Sequence, residues 1–121
     1  MFLATINPPK QLLYMSYIGR VQVQELVQGR ENILLLLADL EPGFRVLTDL
    51  SQVESFGVNC AGEIGEVMNI FSQNGIALVV RVIPDASKDF GLNILSLFHY
   101  HHGLRVVTYS TMTEAMQALA L

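Results

Sequence analysis

The sequence predicts a single α/β domain: an open, mixed sheet of about five strands with helices packed on it, in the order ββαβαβαβα. Three observations predict it. Two β-rich segments open the chain with only Asn7-Pro8-Pro9 between them, and from there on segments of helical spacing alternate with strand-like runs. The third is "IALVVRVI" (Ile76 to Ile83), almost continuously apolar and stopped by Pro84, as suits a strand buried on both faces. Such alternation implies largely parallel pairing through right-handed crossovers.

"FLATINPP" and "KQLLYMSYIG" read as two strands, because proline at their junction cannot continue a ladder. In the second, Leu13, Met15 and Tyr17 face one way, Leu12, Tyr14, Ser16 and Ile18 the other, and Gly19 marks the end. From Val21 to Leu40 the spacing is helical, with Val23, Leu26, Val27, Leu34 and Leu37 along one side. Gly29 costs that helix about 1 kcal/mol against alanine and leaves room for a bend or break there.

"FRVLTDL" (Phe44 to Leu50) is a strand with mostly apolar side chains. Gly57 to Gly75 is a helix with Ala61, Ile64, Met68 and Phe71 on its inner stripe, Glu63, Glu66, Asn69 and Gln73 outside, and Asn74-Gly75 as its stop. After the Ile76–Ile83 strand, a helix runs from Asp85 to Gly103, with Asp85 or Ser87 as N-cap, Asp89 in the first turn and Gly103 just past the end. "LRVVTYS" (Leu104 to Ser110) is the closing strand. In the terminal helix "TMTEAMQALAL", Thr111 and Glu114 have capping-box spacing.

The 121 residues suit one domain with one continuous core, and no linker or repeat divides them. At 51% hydrophobic and 15% charged, with mean hydropathy +0.41, the chain is apolar for a monomer, which points to a partner interface and first to a homodimer. A net charge of −4 with seven scattered basic residues excludes a nucleic-acid partner. The longest apolar run, Asn32 to Leu40, falls well short of the roughly 20 residues a bilayer requires, so membrane insertion is not expected. One cysteine, Cys60, forms no internal disulfide and fits a reducing cytoplasm.

The stretch "FRVLTDLSQVESFGVNCAG" resembles the STAS domains, the anti-sigma-factor antagonist and sulphate-transporter modules: a buried strand ending Asp-Leu-Ser, a short loop, then a helix. "TMTEAMQAL" is similar to the family's last helix, which begins Thr-x-x-Glu-Ala. The resemblance to SpoIIAA-like proteins spans nearly the whole chain in element order and implies a SpoIIAA-like fold and a regulatory, protein-binding role. Anti-sigma antagonists carry a phosphorylatable serine in an Asp-Ser-Ser-Gly-like turn at the start of their second helix. Here Gly57-Val58-Asn59-Cys60 fall in that turn and offer no hydroxyl; Ser55 lies two residues upstream. The resemblance thus implies a branch that keeps the scaffold and lacks the phosphoswitch.

Open α/β sheets bind ligands beyond the carboxyl ends of their strands. There the sequence sets Asp49, Ser51, Ser55 and Asn59 after one strand, Asp85, Ser87 and Lys88 after the next, and Ser110 after the last. These form either a polar patch for a partner or ligand, or ordinary helix caps; both readings suit them. All three histidines fall in "FHYHHG", Phe98 to Gly103. A zinc site on a helix wants ligands at i and i+4, a spacing that His99, His101 and His102 do not offer. Phe98, His99, Tyr100 and His102 are better read as the end of a helix and a candidate interface. No phosphate loop, dinucleotide fingerprint or hydrolase elbow occurs, so neither cofactor nor catalysis is expected. The expected role is a non-catalytic interaction module, with a small hydrophobic-ligand or lipid binder as the alternative and a metal enzyme built on the histidines last.

Overall fold

The computed structural model describes residues 1–121. Strand β1 (Phe2–Asn7) leads into a 3-10 turn at Pro8–Lys10, where the Asn7 side chain accepts from the Lys10 N–H. Strand β2 (Leu12–Val21) returns antiparallel to it. Then follow α1 (Val23–Leu37), β3 (Arg45–Phe56), α2 (Cys60–Gln73), β4 (Leu78–Val82), α3 (Leu92–His99), β5 (Arg105–Tyr109) and α4 (Met112–Ala118). The strands lie in the sheet in chain order, and every pair after the first is parallel. This is the ββαβαβαβα order and five-stranded mixed sheet that the sequence predicts.

The three crossovers between successive parallel neighbours put α1, α2 and α3 on one face. Their apolar stripes and the inward side chains of β2, β3 and β4 form a core of 21 buried residues, among them Leu13, Ile33, Phe44, Phe71 and Val79. Full burial of side chains this size is worth about 1.5–3 kcal/mol each. Helix α4 alone covers the other face, where Ala115 and Leu119 pack on Leu12, Leu47, Val80 and Val82. Strand β4 reads as apolar at every position but Arg81 because both of its faces are covered. Thr111 caps α4: its hydroxyl accepts from the Glu114 N–H at 3.2 Å and meets the Glu114 carboxylate at 2.9 Å.

Several expectations need correction. Helix α1 runs unbroken through Gly29, where the Phe2 ring occupies the space a side chain would take. Its inner stripe is Leu26, Ile33 and Leu37, while Leu34 is exposed, because the phase follows the 26–30–33–37 row. Ala61 likewise turns out to solvent, and Cys60, Val67 and Gly65 take the inner face of α2. Strand β2 passes Gly19, at φ +66° beside a register shift, and runs on to Val21. Strand β3 extends six residues beyond Leu50 because Gln52, Ser55 and Phe56 go on pairing with Ile18, Arg20 and Val21. The helix expected from Asp85 to Gly103 is interrupted. Asp85 caps only a 3-10 turn at Ala86–Lys88, then Phe90 and Gly91 both adopt left-handed backbone, and α3 proper holds eight residues. Gly103 is not its C′ residue, since the helix ends at His99 and Tyr100 is extended.

Candidate functional site

The residues expected beyond the strand ends are sorted by the fold into four places, one of them held by Ser110 alone, just after β5, where its hydroxyl donates to the Glu114 carboxylate at 3.3 Å. Asp49 lies inside β3, buried on the α4 face, where it accepts from the Tyr14 hydroxyl at 3.2 Å and the Ser51 N–H at 2.9 Å. Ser51 and Ser55 are exposed positions within the extended part of β3, so none of these three is a loop residue. Asn59 stands at the N-cap of α2 with φ +70° and makes no capping hydrogen bond. Asp85, Ser87 and Lys88 share the 3-10 turn after β4, where the Ser87 hydroxyl and N–H donate to Asp85 and hold its carboxyl below the usual range. Sequential strand order gives the sheet no point at which neighbouring crossovers part to opposite faces, the feature that opens a ligand crevice in doubly wound folds.

Ser55 and Asn59 do come together, at the rim of a groove of about 300 Å³ between the start of α2 and the start of α3. Its walls are apolar: Phe56, Ile64, Phe90 and Leu95. The Phe56 ring meets Phe90 edge-on at 5.2 Å and Tyr17 edge-on at 5.3 Å. Cys60 borders this groove yet is buried, its thiol donating to the Val21 carbonyl at 3.6 Å; burial pushes the thiol pKa up, against the usual effect of a helix N-terminus.

Helix α3, which contributes Leu95 to this groove, exposes further apolar side chains. On α3, Ile94 is 62% exposed, Leu97 83% and Phe98 79%, with Val58 exposed on the neighbouring loop. The segment Leu92–His99, LNILSLFH, carries no acidic side chain and no lysine or arginine. A helix exposing this much apolar surface is unusual on a monomer.

The "FHYHHG" residues part company. Phe98 points outward. His99 is half-buried against α2, with its Nδ1 3.1 Å from the Asn69 side-chain oxygen. Tyr100 is buried in the core, so as a surface interface residue it is corrected: its extended backbone at the helix end turns the ring inward. His101 and His102 are exposed in the turn before β5. No three His, Cys, Asp or Glu side chains come together in a metal-holding group.

One functional-looking residue has no counterpart among the sequence expectations. Arg81, on the helix-covered face of β4, is only 2% exposed and donates to the Asn93 side-chain oxygen at 3.1 Å and to the Ser96 hydroxyl. The signal for it was the lone charge in "IALVVRVI", joined three residues apart on α3 by Asn93 and Ser96.

No helix is long and apolar enough to cross a membrane. No protein-family model matches the chain, and no curated protein matches it in sequence. Solved structures do match in fold. A DUF3478-family protein with a SpoIIAA-like fold from Shewanella loihica superposes with TM-score 0.76 at 12% identity, covering 98% of this chain and 93% of its own. An anti-sigma factor antagonist from Mycobacterium paratuberculosis gives TM-score 0.59 at 19% identity, covering 100% and 94%. The Bacillus cell fate determinant SpoIIAA in its phosphorylated form gives 0.64 at 11%, covering 98% and 99%. At such identities the likeness shows the fold alone, and the fold is SpoIIAA-like.

Proposed function

We propose that this chain, SpoIIAA-like in fold, is a non-catalytic regulatory module that binds a protein partner through the apolar outer face of α3 and the adjoining groove. The supporting observation is that face itself: Ile94, Leu97 and Phe98 are each well over half exposed on a helix with no acidic side chain, lysine or arginine to keep it in water. The fold's relatives include anti-sigma factor antagonists, whose name describes regulation through another protein. The turn Gly57–Cys60 at the start of α2 has no hydroxyl, so partner binding here is not switched by phosphorylation at that place. The module works in the cytoplasm and pairs as a homodimer, consistent with its apolar composition. Retention experiments test it, with the wild-type chain and the Leu97→Asp and Phe98→Asp variants as baits in a lysate of the native cells. A protein held by wild type and lost by both variants, at unchanged Tm, is the expected result. Equal retention by all three sinks the reading, and sedimentation at the monomer mass across the micromolar range sinks the dimer.

A second reading, a small hydrophobic ligand, is favoured by the groove of about 300 Å³ walled by Phe56, Ile64, Phe90 and Leu95. Native mass spectrometry of freshly purified protein separates the two: a retained small-molecule mass supports the binder, a bare chain or bare dimer the interaction module.

A further inference from the structure

We propose that Arg81 is the centre of an interior binding site for a small, singly charged anion, a halide or a carboxylate head. The site lies on the buried side of α3 and is independent of the outer face that carries the proposed partner binding. The guanidinium is 2% exposed, and both of its hydrogen bonds go to neutral acceptors, Asn93 and Ser96. An arginine has five N–H donors in a planar fork, so most of its capacity is left over. The ion pairs of the chain join Met1 to Glu25, Arg20 to Glu54 and Arg30 to Glu63; no carboxylate is in ion-pair contact with Arg81. Asp89 acts on it from beyond that range.

What borders Arg81 is instead a cavity of about 10 Å³, lined also by Tyr17, Thr48 and Tyr100 and by apolar side chains of β2, α2 and α3. That volume is about one water-sized occupant. Burial raises the pKa of both phenols, that of Tyr100 to about 12, so neither supplies a negative charge at neutral pH. A buried guanidinium and three hydroxyl-bearing residues therefore line one small space with no anionic side chain among them. A water molecule there would accept hydrogen bonds and leave the charge uncompensated; an anion does both, which is what a buried cation requires. Asn93, Ser96 and Tyr100, which surround the guanidinium, also line an open groove of about 370 Å³ beside β5.

The test is thermal unfolding of the whole chain in gluconate at constant ionic strength, titrated separately with chloride, bromide, formate and butyrate. For wild type, at least one of these raises Tm saturably, by about 4 °C at ten times its half-saturating concentration. Arg81→Met, an apolar replacement of similar length, shows no such rise. A response to halides alone identifies a closed, spherical-anion site; a response to formate that strengthens with butyrate identifies the head of an apolar acid. Wild-type Tm flat in all four anions overturns the proposal, and so does an equal response in Arg81→Met. Should that variant fail to fold, the wild-type protein still decides. The Nε–H resonance of Arg81, the one buried arginine, must shift on titration with the same half-saturation as Tm, and a fixed resonance overturns the site.

Discussion

The His99 imidazole rests against the bare backbone of Gly65, so closely that a methyl group added to Gly65 would lie 2.5 Å from Nε2. The contact joins the end of α3 to the middle of α2, and the Asn69 side chain fixes the other ring nitrogen at 3.1 Å. Gly65→Ala gains helix propensity of about 1 kcal/mol but must displace the ring and with it the end of α3. The expected outcome is a net loss of about 1–3 kcal/mol in denaturant unfolding. In the double variant with His99→Ala, much of that loss should vanish; additive losses would show that ring and glycine do not compete for one space.

Gly29 and Gly62 offer a contrast within one fold. A methyl on Gly29 would overlap the Phe2 ring, which itself stacks on Tyr17 at 5.0 Å, whereas nothing lies within 4 Å of one on Gly62. Gly62→Ala should stabilise by about 0.5–1 kcal/mol, the ordinary gain in an exposed helix. Gly29→Ala should fail to show that gain and lose about 1 kcal/mol instead. Equal gains at both sites, read from urea midpoints, would contradict the packing of β1 on α1.

Thr111→Ala removes the one side-chain acceptor at the start of α4. Loss of such a cap costs about 1 kcal/mol, and a seven-residue helix has little else to hold its first turn. Hydrogen exchange should show faster exchange in Met112–Ala118 with β2 and β3 unchanged. Thr111→Ser should restore the wild-type pattern.

Alkaline unfolding has a defined direction. Burial raises the folded-state pKa of Tyr100 to about 12 from the ordinary 10, and raises that of Tyr17 as well. Below pH 10 both states keep their phenolic protons, and the two groups leave stability unchanged. Between pH 10 and 12 the unfolded chain ionises first, so stability falls as pH rises, by about 1.4 kcal/mol per unit of pH for each phenol still held protonated. Tyrosinate absorbance should therefore rise in step with loss of tertiary circular dichroism. Full ionisation of all four tyrosines in a still-folded chain would refute it.

Much of the fold was legible because its signals are local. The proline pair at Pro8-Pro9, the apolar run of β4 and the Thr111–Glu114 cap each act over a few residues. What escaped depends on partners distant in sequence. The six extra residues of β3, four of them polar, form strand because the far end of β2 pairs with them. Leu34 and Ile33 fit a helical stripe equally well until α2 and the sheet choose the phase. The break at Phe90-Gly91 lies in a sequence that caps and continues like a helix; only backbone at φ +55° and +76° reveals it. Of the candidate site, Ser55 at the end of β3 and Asn59 at the start of α2 do meet, while Asp49 and Tyr100 turn inward and Arg81 went unread, since one charge in a strand says nothing of what α3 brings to face it.

The order of the strands also bears on how the chain acquires its structure during synthesis. Each new strand joins the edge laid down just before it, so pairing needs only the crossover in between and no wait for distant sequence. The three-helix side can thus close progressively as residues leave the ribosome. The opposite side cannot: Leu12, Leu47, Val80 and Val82 stay uncovered until Met112–Ala118 emerges. A nascent chain stalled after β5 would present a finished sheet with one greasy, unshielded surface, the state most in need of a chaperone.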